Sequence, residues 1–300
     1  MAKRNQNSDM ENRKAQMELQ QREIKERLQH IKNKFLVMSG KGGVGKSSVA
    51  AYLAVALAKR GYMVGLMDVD LHGPSIPRLL GLKGSIRPGG HEGKMLPVQY
   101  LPNMDVISIE TLTRDKDAAT IWRGPLKGGV IRQFIADIEW GDLDYLIIDS
   151  PPGTGDELLT VAQTISDAMA LIVTTPQELS LADVRKSINF CRQVHMKILG
   201  LVENMSGLRC PYCGKTIDVF KTHGGVRTAA KENLRLLATL PFEPEVVKEG
   251  DAGDISLLYN DELPITQEFD KMVDEILKLT EGETYSESHH KIKEISSALN

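Results

Sequence analysis

The sequence predicts an α/β protein whose central sheet is mostly parallel and flanked by helices on both faces, a three-layer arrangement. Three observations carry this. Short apolar runs recur along the chain, longer helix-compatible stretches separate them, and a glycine-rich turn joins the first run to the first of those stretches. Continuous apolar runs suit strands covered on both faces, and strand–helix alternation implies right-handed crossovers with parallel pairing.

The chain opens with a polar segment, residues 1–33, rich in Lys, Arg, Glu and Gln. Met17, Ile24, Leu28 and Ile31 fall at helical spacing, so one amphipathic helix is expected there, resting on the core. Strands are expected at Phe35–Ser39, Met63–Met67, Val106–Ile109, Tyr145–Asp149, Ala170–Thr174 and Ile198–Glu203. Helices are expected near 46–60, 126–138, 156–166, 180–195, 224–234 and 264–280. Residues 81–103 are rich in Gly and Pro and read as an excursion from the core. Residues 34–280 are assigned to one domain, with an insertion near 207–222 that carries a cysteine pair, and residues 281–300 to a peripheral tail.

Composition removes several function classes. At 41% hydrophobic and 26% charged, 300 residues suffice to bury a full α/β core. A net charge of -3 argues against an extended basic face for nucleic acid, and 5% aromatics leave few stacking platforms. No apolar run approaches the roughly 18 residues of a membrane span. The first residues lack the apolar core of a secretory signal and are too acidic for a transit peptide. Three cysteines, Cys191, Cys210 and Cys213, without such a signal fit a reducing compartment, so a cytoplasmic location is expected. Cys191 sits in a helical run and reads as a core thiol.

The run Phe35-Leu-Val-Met-Ser39 leads into Gly40-Lys-Gly-Gly-Val-Gly-Lys-Ser47 and then a helix, which is G-x-x-x-x-G-K-[ST] in its required strand–turn–helix setting. Glycines let the backbone of Gly40, Lys41, Gly42, Gly43, Val44, Gly45, Lys46, Ser47 and Ser48 curl around a phosphate. The helix amino terminus adds partial positive charge. Lys46 is placed to neutralise the outer phosphates and Ser47 to set its hydroxyl on Mg²⁺, so ATP with Mg²⁺ is the expected ligand. For the extra lysine, Lys41, taken alone, a solvated loop residue is the plain alternative.

With that lysine, the loop resembles the deviant P-loop of the MinD/Mrp branch of P-loop ATPases. The resemblance implies that Lys41 reaches across a dimer to the facing nucleotide. It implies further that Asp70, in Met67-Asp-Val-Asp70, positions water while Asp68 supports the metal shell. In Tyr145-Leu-Ile-Ile-Asp149-Ser-Pro-Pro-Gly153 it makes Asp149 the metal-holding acid and the Gly153 backbone a γ-phosphate sensor. Asn204 is similar to the residue that reads adenine in that branch, although a satisfied loop amide is the plain alternative.

The pair Cys210-Pro-Tyr-Cys213 admits three readings. A redox pair would want a small βαβ unit and a helix amino terminus, and neither is evident. A zinc knuckle wants four ligands, and the chain offers two cysteines with His223 as a doubtful third. A site shared across a two-fold axis gathers four thiolates, the set for one [4Fe–4S] cluster, and zinc fits the same thiolates. Together with Asp68-Val-Asp-Leu-His-Gly-Pro-Ser-Ile-Pro77, Asp149-Ser-Pro-Pro-Gly-Thr-Gly-Asp156 and Val202-Glu-Asn-Met-Ser206, the pair resembles the Mrp/ApbC family, which includes the Nbp/Ind-type carriers. The resemblance covers residues 34–280. It implies a homodimeric ATPase that holds an iron–sulfur cluster at its interface and passes it to apo-proteins, with no nucleic-acid or membrane partner. The chain departs from the family in lacking an amino-terminal cysteine motif and a small acidic α/β domain before the loop. Two rivals stay open. One is a MinD/ParA-like positioning ATPase, whose membrane-binding members use a basic amphipathic tail where Tyr285–Asn300 has Lys291 and Lys293 but also acids; the other is a zinc-stabilised ATPase without cargo.

Overall fold

Strands covered on both faces place successive side chains in opposite layers, and the central strands do so residue by residue. The computed structural model of the chain describes residues 17–71, 73–91, 93–112, 124–209, 213, 215–217 and 224–280. In chain order the elements are a helix over 17–29 (α1), β1 Ile31–Met38, α2 Lys46–Lys59, β2 Val64–Asp68 and α3 Ile76–Leu79. Next come β3 Arg87–Pro88, β4 Met95–Leu96, β5 Val98–Leu101, β6 Met104–Ser108, α4 Ile109–Leu112 and α5 Gly124–Ala136. Then follow β7 Leu143–Asp149, α6 Asp156–Thr164, β8 Met169–Thr174, α7 Glu178–Gln193 and β9 Lys197–Glu203. The last are β10 Leu208–Arg209, β11 Thr216–Ile217, α8 Gly224–Glu232, β12 Leu236–Thr239, α9 Pro244–Asp251 and α10 Pro264–Thr280.

Eight strands form one sheet in the order β12-β9-β8-β1-β7-β2-β6-β5. Every pairing in it is parallel except that of β5 with β6. Phe35, Val37, Tyr145, Ile147, Leu171 and Val173 point into one core, shared with α2 and α10. Their chain neighbours Leu36, Met38, Leu146, Ile148, Ala170 and Ile172 point into the other, shared with α5, α6 and α7. The helix α10 buries Ile265, Phe269, Met272 and Ile276, one stripe at helical spacing, against α2 and β12. No helix among the described residues is long and apolar enough to cross a membrane.

The predicted architecture matches, with differences in extent. The helix over 17–29 stops before Ile31, which pairs in register with Leu143, so residues 31–33 open the first strand instead of closing the helix. Helical spacing and a buried strand end make the same demand on Ile31, and strand pairing prevails. The stretch 81–103 is not wholly an excursion: β3 and β4 form a separate two-stranded ribbon, but β5 joins the sheet as its antiparallel edge. The strand β12 is only four residues long and the helix α9 carries few apolar residues, so neither announces itself; β12 pairs with β9. Residues 1–16 and the tail 281–300 lie outside the described residues.

At the opposite edge of the sheet, the packing of β12 on β9 depends on Gly200, where an added Cβ would stand 2.8 Å from the Arg235 backbone oxygen and 2.6 Å from Leu237 Cγ. Because backbone cannot yield as a side-chain tip can, Gly200→Ala is expected to destabilise by about 1–3 kcal/mol in chemical denaturation. Wild-type stability in that variant would mean that β9 and β12 are less closely packed than described.

Candidate functional site

Consecutive strands turn to opposite sides of β1: β7 lies on one flank and β8 on the other. Ligand crevices in open parallel sheets form at such a point, outside the carboxyl ends of the strands. Residues 40–45 follow β1 there, Asp149 ends β7 and Asp68 ends β2, with Asp68 and Asp149 register partners. A backbone bond from Val69 N to Asp149 O, 2.8 Å, ties the two acidic strand ends together.

The glycine loop enters α2 through Gly45, whose left-handed backbone (φ 75°) no β-carbon tolerates easily. Gly40 lies against the backbone of Asp183 on α7, and Gly43 is also left-handed. Val44 is buried while Gly42 and Gly43 face solvent. Ser47 and Ser48, in the first turn of α2, are half-buried. The first residue of α2, Lys46, is 6% exposed and forms an ion pair with Asp149, which is wholly buried. Lys46 Nζ also lies 3.3 Å from Ser47 Oγ.

Burial pushes the Asp149 carboxyl up, and the facing Lys46 charge pulls it back. Asp149 Oδ2 has no hydrogen-bond partner among the described residues. Asp68 is raised well above the ordinary carboxylate range, first by burial and then by the Asp149 charge. Its oxygens accept from Ser108 Oγ at 3.1 Å and from Asp70 N at 3.0 Å. Two acids of raised pKa and one lysine in a dry pocket form a cluster short of positive charge. A hydroxyl and two carboxylates, one with a bare oxygen, are the hard-oxygen donors that Mg²⁺ takes.

The remaining predicted residues lie around this centre. Asp70 is half-buried and accepts from Gly73 N at 3.2 Å. Gly153 adopts φ 93° and donates its N–H to Ser39 O, 2.9 Å, so the turn after β7 is fastened to the turn after β1. Lys41 reaches Gln177 Oε1 of its own chain at 3.3 Å. Asn204 is buried, and its Nδ2 donates 2.9 Å to Val44 O of the glycine loop.

Of the cysteine pair, Cys213 is exposed; Cys210 and His223 lie outside the described residues. The ribbon of β10 with β11 flanks Cys213, antiparallel, at the end of β9. Cys191, on α7, lies in the core, its thiol pushed up to about 12 by burial and 3.5 Å from Met38 Sδ. Three sets of contacts are not foreseen from sequence: Ser108 on Asp68, Gln177 on Lys41, and Ser206 and Gly225 on Glu203. The Glu203 carboxylate is fully buried at the end of a strand. A charged residue closing an apolar run was the signal for it.

Comparison with known proteins places these features. The family described as NUBPL iron-transfer P-loop NTPase, of the ParA group, matches residues 30–277. An iron-sulfur cluster carrier protein of Methanocaldococcus jannaschii is 42% identical over 264 residues, 88% of this chain and 90% of that protein. The cytosolic Fe-S cluster assembly factor CFD1 of Kluyveromyces lactis is 45% identical over 229 residues, 74% of this chain and 81% of that one. Among solved structures, the nucleotide-binding protein of Archaeoglobus fulgidus in complex with ADP superposes with a TM-score of 0.71 at 40% identity, covering 83% of this chain and 96% of that one. The cell division protein MinD of Aquifex aeolicus, at 19% identity and TM-score 0.57 over 82% of this chain and 97% of that one, shares the fold.

The charge imbalance has a measurable consequence. A carboxyl with a raised folded pKa binds more protons folded than unfolded, so its ionisation erodes stability as pH climbs above the unfolded value. Asp68→Asn is therefore expected to stabilise the nucleotide-free chain. The gain should be absent below about pH 4 and grow with pH to a few degrees in Tm, the scale of about 1 kcal/mol for a domain this large. A gain independent of pH, or a loss, would contradict the assignment.

Proposed function

The chain belongs to the family of iron-transfer P-loop NTPases, and from that premise we propose that it is an ATP-hydrolysing carrier of iron–sulfur clusters acting as a homodimer. The observation that carries this reading is the joining of two sites through one strand end. The buried Lys46–Asp149 pair stands in a phosphate-binding loop, and Asn204 fastens that loop to β9, the strand from which the cysteine segment departs. ATP is the substrate. An iron–sulfur cluster is the cargo.

The proposed cycle uses this chain's residues as follows. Backbone N–H groups from Gly40 to Ser48 surround the phosphates, and Lys46 exchanges its carboxylate partner for phosphate oxygens. That exchange leaves Asp149, with Ser47 and Asp68, to hold Mg²⁺. When bound, Mg²⁺ spreads the charge that develops on the transferring phosphoryl group. Asp70 orients the attacking water. Lys41 leaves Gln177 and supplies positive charge to the nucleotide of the facing subunit, so hydrolysis requires the dimer and is slow without it. The Gly153 N–H, fastened to Ser39 O in the nucleotide-free chain, turns to the γ-phosphate. Asn204 keeps its Nδ2 on the loop and offers Oδ1 to the amino group of adenine.

Cys210 and Cys213 from each subunit supply four thiolates at the two-fold axis, the set that a [4Fe–4S] cargo needs. Apo-proteins receive the cargo in a cytoplasmic setting, with no nucleic acid or membrane engaged.

Iron, acid-labile sulfide and zinc are measured after anaerobic reconstitution of the wild type beside Cys210→Ala/Cys213→Ala. About four irons and four sulfides per dimer, absent in the double variant, are expected. Zinc with no capacity for iron would refute cluster carriage and leave a zinc-stabilised ATPase.

A further inference from the structure

One buried carboxylate clasps both ends of the segment that carries the cysteines. Glu203, the last residue of β9, is 0% exposed. Its Oε1 accepts from Ser206 Oγ at 2.6 Å and its Oε2 accepts from Gly225 N, in the first turn of α8. Ser206 stands four residues before Cys210, and Gly225 twelve residues after Cys213. The approach at Gly225 is close: an added Cβ would meet Glu203 Oε2 at 2.8 Å.

The neighbouring residue faces the other way. Asn204 donates from Nδ2 to Val44 O, and that nitrogen stands 2.3 Å from where a Cβ on Gly45 would lie. Its backbone N–H is fixed to Thr174 O at 2.7 Å. Met205 then takes the left-handed conformation at φ 58°, which a non-glycine residue adopts only where its surroundings demand it. That turn brings Ser206 back onto Glu203, and Ser206 N bonds Leu240 O at 2.9 Å. Two consecutive residues thus grip the phosphate loop on one side and the cysteine segment on the other.

We propose that Glu203 is a positioning residue through which occupation of the phosphate loop sets the exposure of Cys213. A buried charge solvated by two donors has no water to replace either of them. When Val44 and Gly45 shift around a phosphate, Asn204 shifts with them, and the Glu203 carboxylate must carry Ser206 and Gly225 along. The inference rests on the phosphate loop binding nucleotide, as proposed above, and not on the identity of the metal at the cysteines.

The plain rival is that Glu203 only caps α8, since a carboxylate at a helix amino terminus is favourable in itself. A cap stabilises the fold but makes no nucleotide-dependent difference, which gives a test. The rate of Cys213 alkylation by iodoacetamide is followed by peptide mass spectrometry on metal-free, full-length protein, with and without magnesium and a non-hydrolysable ATP analogue. Analogue binding is measured in parallel. Cys191 is too buried to interfere.

In the wild type the analogue is expected to change the rate by about fivefold or more, the lower range of site-to-site couplings. Glu203→Gln keeps an acceptor for Gly225 N and should retain most of that response. Glu203→Ala should still bind the analogue yet show a ratio near one. A wild-type ratio in Glu203→Ala overturns the proposal, as does a wild-type chain that binds the analogue without any change at Cys213. If Glu203→Ala does not fold, Ser206→Ala decides, because it removes one tie from a half-buried position. A lowered ratio there supports the proposal and an unchanged one overturns it. Failure to load iron in the separate metal analysis would sink cluster carriage while leaving this result standing; failure of the wild type to bind the analogue would sink both.

Discussion

The Lys46 ammonium and the Asp149 carboxylate meet almost out of the reach of water, where α2 begins beside the carboxyl end of β7. Removing either member of such a pair costs about 3–5 kcal/mol, because the survivor is left charged and unsolvated. Asp68 adds a second acid beside it, so one lysine serves two carboxyl groups that burial already disfavours. The arrangement is therefore short of cations and holds its lysine where phosphate oxygens can compete for it. In the proposed cycle a divalent cation would relieve that imbalance.

The sheet order makes this pair possible. Because β7 inserts between β1 and β2, two acidic strand ends stand beside the loop that begins α2, although 81 residues of chain separate Asp68 from Asp149. Lys46 and the acids stand at the strand ends, Lys34 of β1 is buried but paired with Asp167, and the strand interiors otherwise alternate between the two apolar layers. Rigid strands thus fix the acids, and the connections that follow them carry Asp70 and Gly153.

Local chemistry made the centre legible in the sequence. The glycine spacing ending in Lys46-Ser47 and the apolar runs ending in Asp68 and Asp149 are each readable within about ten residues, and the alternation of elements gave the layers. What escaped depended on partners distant in the chain. The strand β5 reads as a loop because its edge position asks little of its side chains, and Ile31 satisfies a helical and a strand pattern alike. Glu203 was passed over because its donors lie three and twenty-two residues away, and Lys41 resting on Gln177 could not be seen from a loop motif. Contacts between turns carry no periodicity, so only the folded chain reveals them.

In the proposed cycle, phosphate takes Lys46 from Asp149 and frees that acid for the metal. A crystal structure of this chain with magnesium and a non-hydrolysable ATP analogue tests it directly. Lys46 Nζ is expected on phosphate oxygens, with Asp149 and Ser47 turned to the metal. An intact Lys46–Asp149 pair with the nucleotide bound would contradict it.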